Sequence, residues 1–163
     1  MMNPPFNNSE EMIKHLLLPH FKYSQGAFVP ALEIICENIG TIMEVQANFP
    51  GTCMKLLLQV KEPFTKEEYE QGVLSKIRVA SRKDPVYQIV ETSLRNLRKF
   101  LGDDPDFLSK TFHREINYIK QPNRLEIFQE VAYKACCEAI DIAVKEIEMS
   151  HQEKAQPNSK RLK

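Results

Sequence analysis

DPVYQIVETSLRNLRKFLG, residues 84–102, decides the fold class. Asp84 offers a side-chain oxygen to the free N–H groups of a first helical turn, and Pro85 falls where a missing N–H costs nothing. Val86, Ile89, Val90, Leu94, Leu97 and Leu101 then recur at three and four residues, which lines them along one face. Gly102 stands just past the last of them, where helices commonly end in a left-handed residue that glycine adopts without a Cβ penalty. Start, stripe and stop agree, so the stretch reads as an amphipathic helix.

The same punctuation recurs on both sides. Asp104 and Pro105 open a further helix with Phe107, Leu108, Phe112, Ile116 and Ile119 inward, until Gln121-Pro122-Asn123 breaks it. Asn123 and Glu126 have capping-box spacing ahead of a last helix over about 124–150. Its face (Leu125, Phe128, Val131, Ala132, Ala135, Cys136, Ala139, Ile140, Ala143, Ile147) is thinned by alanines. Small residues let helices approach closely, which predicts a central position in a bundle or a seat against a partner.

Upstream, Thr65 and Glu68 form a capping box before Tyr69, Val73, Leu74 and Ile77. Residues 52–61 are apolar enough for either a buried helix or a strand; helix is preferred because no other stretch supplies a strand partner. Pro30 opens a helix carrying Leu32, Ile35, Ile39, Ile42 and Met43, which Gly40 weakens and Asn48-Phe49-Pro50-Gly51 ends. Ser9 caps a first helix with Glu10 and Glu11 in its opening turn and Met12, Ile13, Leu16 and Leu17 on its stripe. Pro19 ends or kinks it at Leu18, leaving 20–28 as connector. The expectation is an all-α fold: a single compact bundle of about six helices over residues 9–150, with a long C-terminal helix. Residues 1–8 and a basic tail, 151–163, are expected to be disordered. The apolar stripes share no fixed period, which favours a bundle over a repeat array.

At 163 residues with 42% of them apolar, the chain is long enough to bury a real core. Cys36, Cys53, Cys136 and Cys137 form no CxxC pair, and the opening residues carry no signal-peptide pattern. Reduced thiols in cytoplasm or nucleus follow. The longest aliphatic runs are triplets such as Leu16 to Leu18, far short of the ~20 residues a membrane-spanning helix needs. The formal net charge of zero hides a gradient: net −4 over residues 1–75, +5 over 76–124 and −1 over 125–163. The basic middle is where an acidic partner would meet the chain.

Motifs that carry chemistry are missing from this sequence. His15, His20, His113 and His151 are scattered without metal-ligand spacing, and no metal or other cofactor is expected. Asp103, Asp104 and Asp106 cluster between two helices, but carboxylates there serve a helix start better than a metal clamp. There is no phosphate-cradling glycine loop and no nucleophile elbow. Cys53 lies nearest a helix start, yet its apolar flanks fit a buried thiol better than a nucleophile.

A non-enzymatic helical interaction module is therefore expected, an adaptor or regulatory subunit of an intracellular complex. Its partner would be another protein with an acidic or helical binding element, met by Lys76, Arg78, Arg82, Lys83, Arg95, Arg98 and Lys99. No membrane partner is expected, and self-association is compatible with the stripes. The first alternative is nucleic-acid binding by the same basic segment, 76–99, which lacks interleaved exposed aromatics. The second is a ligand carrier or enzyme with a cavity inside the bundle. Lys160, Arg161 and Lys163 have the spacing of a short nuclear import signal.

Overall fold

Proline and glycine stand at several of the helix boundaries, Pro30, Pro85 and Gly102 among them. A computed structural model of the chain describes residues 9–21, 28–48, 54–61 and 85–155. Among these are seven α-helices, one 3-10 turn and no strand, an all-α bundle. They are α1 (Ser9–Leu17), α2 (Val29–Asn48), α3 (Met54–Gln59), α4 (Pro85–Phe100), α5 (Phe107–Thr111), α6 (His113–Tyr118) and α7 (Arg124–Ala155). The predicted helix opening at Thr65 lies outside the described residues, as do Cys53 and residues 1–8.

α4 starts at Pro85 and ends as its sequence predicts. Gly102 has φ of +104°, its N–H donates to the Lys99 carbonyl at 3.3 Å, and the Asp103 N–H donates to the Arg98 carbonyl at 3.2 Å. Those two bonds make a Schellman motif and satisfy carbonyls that the helix end leaves open. Tyr87, Val90, Leu94, Leu97 and Phe100 are buried. Ile89, expected on the stripe, is instead 46% exposed: the buried face is turned toward Tyr87, which also carries Ser93 inward.

α2 and α7 organise the core. α2 packs on α1, α4 and α7, and α7 touches each of the six other described helices. Ala132, Ala135, Ala139 and Ala143 are all buried on α7, so the alanine-thinned face is the one that draws neighbours close. Larger side chains fill the remaining space, including Phe128, Ile140, Leu32, Ile35, Ile39 and Leu94, each worth roughly 1.5–3 kcal/mol when fully buried. Gly40, mid-helix in α2, serves the same end. A Cβ built on it would lie 2.9 Å from Glu10 Cβ and 3.3 Å from Glu10 Cα, so α1 rests almost directly on the α2 backbone.

Residues 54–59 are helical, the preferred side of the choice between helix and strand. The structure departs from the sequence reading in three further places. Leu16 points outward while Met12, Ile13 and Leu17 are buried, and the chain tightens into a 3-10 turn at Leu18–Phe21 around Pro19. The single helix expected after Pro105 is two short ones, divided at Phe112 (φ −116°, ψ 30°). The last helix runs through Ala155, so residues 151–155, expected to be disordered tail, are helical; no breaker precedes Pro157.

Around that division five phenylalanines stack. Phe28 and Phe128 have centroids 4.7 Å apart, Phe128 and Phe112 5.5 Å, and Phe112 lies 6.0 Å from both Phe100 and Phe107. The rings of Phe100 and Phe107 meet edge to face at 5.1 Å. Such offset and edge contacts add about 0.5–1.5 kcal/mol per pair beyond burial.

Candidate interaction surface

Of the seven basic residues expected to face a partner, Arg95, Arg98 and Lys99 are described, all on the last turns of α4; Lys76, Arg78, Arg82 and Lys83 lie outside the described residues, as do Lys160, Arg161 and Lys163 of the tail signal. Their environments differ sharply. Arg95 is exposed and pairs with Glu91 one turn back at 2.6 Å, as the four-residue spacing predicts.

Arg98 is a correction. Expected on the open face, it is 4% exposed. Its Nε and one terminal nitrogen donate to the two Asp103 carboxylate oxygens at 2.8 and 2.6 Å, and the other terminal nitrogen donates to the Val60 carbonyl. The guanidinium fork suits this bidentate geometry, and the Schellman turn that folds Asp103 back beside Arg98 places the carboxylate. Arg98 thus ties the end of α3 to the end of α4 and presents little surface to a partner.

Lys99 is half-buried and holds its ammonium 5.6 Å from the Phe107 ring centroid, a cation–π contact. Among the described residues it has no carboxylate within ion-pair distance. It forms one edge of an open cleft of about 410 Å³ between the α4–α5 corner and α7. Phe100, Leu101, Pro105 and Leu108 give the cleft apolar walls, and Gln129, Glu130 and Tyr133 on α7 close the far side. Tyr133 is 46% exposed there.

The cleft's two carboxylates already have partners. Glu130 accepts from Lys134 Nζ at 2.9 Å, and Asp104 Oδ1 accepts the Asp106 N–H at 3.1 Å. Asp106 in turn lies 3.8 Å from Lys110. The acidic cluster at 103–106 is therefore spent on Arg98, on a turn and on Lys110; α5 starts only at Phe107 and receives no side-chain cap, so Asp104 holds the preceding turn and is not the helix cap expected from sequence. Among the described residues no group of three or more histidines, cysteines and carboxylates is placed to hold a metal ion. No described helix is long and apolar enough to cross a membrane.

Beyond Tyr133 the next two turns of α7 carry a second polar patch. Lys61, at the end of α3, donates to Asp141 at 2.6 Å, and this hydrogen bond pushes the lysine pKa up. Burial raises the Cys137 thiol, whose charge and hydrogen bond in turn raise Tyr133. Burial likewise raises Cys136, whose thiol reaches the Leu97 carbonyl at 3.7 Å, and holds Cys36 up at about 12. These directions all favour protonated, unreactive thiols. No family model, curated protein or solved structure matches the chain.

Proposed function

We propose that the chain is a non-enzymatic helical interaction module, an adaptor or regulatory subunit of an intracellular complex, which binds another protein at the α4–α5 corner and the adjoining turns of α7. One observation carries this reading: the cleft there is open to solvent, walled by apolar side chains and edged by Lys99, the described member of the basic set without an ion pair among described residues. A non-enzymatic role is supported by the state of the cleft's polar groups, since Glu130 and Asp104 are held by Lys134 and a backbone N–H instead of being poised as an acid and a base. With Arg98 inside and Arg95 paired, the described part of the basic segment offers little cation density to a phosphate backbone, so a protein partner is preferred to nucleic acid.

Affinity purification of the intact protein from cells, wild type against Lys99→Glu, tests the assignment. The expected result is a stoichiometric partner with wild type, lost or strongly reduced with the variant, while circular dichroism and melting are unchanged. Full retention of every partner by Lys99→Glu moves the surface elsewhere. Absence of any stoichiometric partner removes the module reading itself.

A further inference from the structure

Building on the interaction-module reading, we infer that the cleft takes a short segment of the partner in which a large apolar side chain lies next to a carboxylate. The apolar part of that specification comes from the walls: Phe100 and Leu108 are buried beneath the cleft, Leu101 and Pro105 border it, and Tyr133 stands half-exposed opposite them. Covering such a wall releases water from apolar surface and seats a side chain against an aromatic face.

The charged part comes from a mismatch among the lining groups. Glu130 is paired with Lys134 and Asp104 accepts the Asp106 N–H, whereas Lys99 brings a positive charge and three donors that meet, among the described residues, the Phe107 ring and no carboxylate. A carboxylate satisfies that ammonium; a second cation would be repelled, and a neutral amide accepts more weakly. Size and shape fix the kind of occupant. About 410 Å³, open on one side, has room for one or two side chains on an exposed backbone, which suits a peptide segment better than a domain face or an enclosed small ligand.

The test uses the full chain, labelled with ¹⁵N, and two blocked probe peptides: one alternating leucine and glutamate, the other its leucine and glutamine counterpart. Amide shifts confined to residues 99–108 and 129–133 are expected with the glutamate peptide, with affinity falling as salt rises. The glutamine peptide, and the glutamate peptide against Lys99→Met, should each bind about tenfold more weakly, the loss expected for a hydrogen bond to a charged group. Methionine keeps the aliphatic stem over Phe107, and the variant's spectrum reports directly whether the fold is intact. Equal affinity for the two peptides, an unchanged affinity for Lys99→Met, or shifts that lie outside the cleft overturn the inference. A failed titration beside a partner that still co-purifies removes the acidic segment alone, while failure of both removes the module as well.

Discussion

Arg98 shows how far a residue's neighbours in the chain differ from its neighbours in space. Four residues after Leu94 and one after Leu97, it falls on the edge of the buried stripe, and periodicity alone would have turned it inward. The general rule that charged side chains stay outside hid this. What overrides the rule is an anion five residues on, brought back by the Gly102 turn, together with the Val60 carbonyl. Burial is unequal, with the Arg98 side chain at 4% exposure and Asp103 at 31%, so the two truncations should differ. Arg98→Met leaves a carboxylate that water can reach, and a loss of about 1–3 kcal/mol is expected. Asp103→Ala takes the bidentate anion from a buried guanidinium and should cost more, approaching the ~3–5 kcal/mol of a broken buried pair. Urea unfolding of both variants checks the order, and the reverse order would mean that Asp103 carries the desolvation cost. Gly102→Ala is a purely conformational case, because nothing lies within 4 Å of the added Cβ while φ stays at +104°. Its expected cost is ~1–2 kcal/mol in the same assay.

At the scale of elements, the positions of helices were legible wherever local chemistry decided them. Pro30, Pro85 and Gly102 mark boundaries that the structure keeps, and the Asn123 carbonyl accepts the Ile127 N–H at 2.9 Å, the first bond of α7. The division of α5 from α6 was not legible, because the apolar spacing runs through Phe112 unbroken and no glycine or proline stands there. The break coincides with the aromatic cluster: the Phe112 ring packs among Phe107 and the more distant Phe100 and Phe128, and tertiary packing overrides helical propensity. Gly40 makes the same point in reverse. From sequence it only weakens α2, by roughly 1 kcal/mol against alanine, so Gly40→Ala would be expected to stabilise. The added Cβ meets Glu10 Cβ at 2.9 Å and the Glu10 backbone just beyond, however, and relief requires α1 to move. Overpacking of this kind costs about 1–3 kcal/mol, which makes a net loss near 1 kcal/mol the expected outcome. Glu10→Gly in the same chain removes the nearest clashing atom and should recover part of that loss. A stabilised Gly40→Ala protein would show that α1 does not dock on α2 as described.

For the whole molecule, the cleft was out of reach of a sequence reading because it joins a turn at 99–108 to a stretch of α7 some twenty to thirty residues later, and no local pattern records that meeting. The protonation state of the core was barely legible: a buried thiol was expected for Cys53, which lies outside the described residues, and only packing shows how deeply Cys36 and Cys136 sit. Cys36 lies fully buried in α2, and burial, reinforced by Glu10, lifts its thiol from the ordinary value near 9 to about 12. Cys136, fully buried in α7, is raised by the same cause. A raised folded-state pKa means that the fold favours the neutral thiol. Below about pH 9 both folded and unfolded chains hold the proton and the full stability is present. As pH climbs from about 9 toward 12, the unfolded chain ionises while the folded chain does not, and stability falls by up to ~1.4 kcal/mol per pH unit for each such thiol. Lys61, raised by its bond to Asp141, loses its own contribution only above its ordinary value of 10.5. Among the described groups the slope between pH 8 and 10 therefore belongs mainly to the thiols, with Tyr133 joining near its ordinary value of 10.0. Cys36→Ala should start less stable at pH 8, because a small side chain leaves the core, yet decline less steeply than wild type up to pH 10. Urea midpoints measured across that range distinguish the two slopes, and parallel declines would mean that the Cys36 thiol ionises as readily inside the fold as outside it.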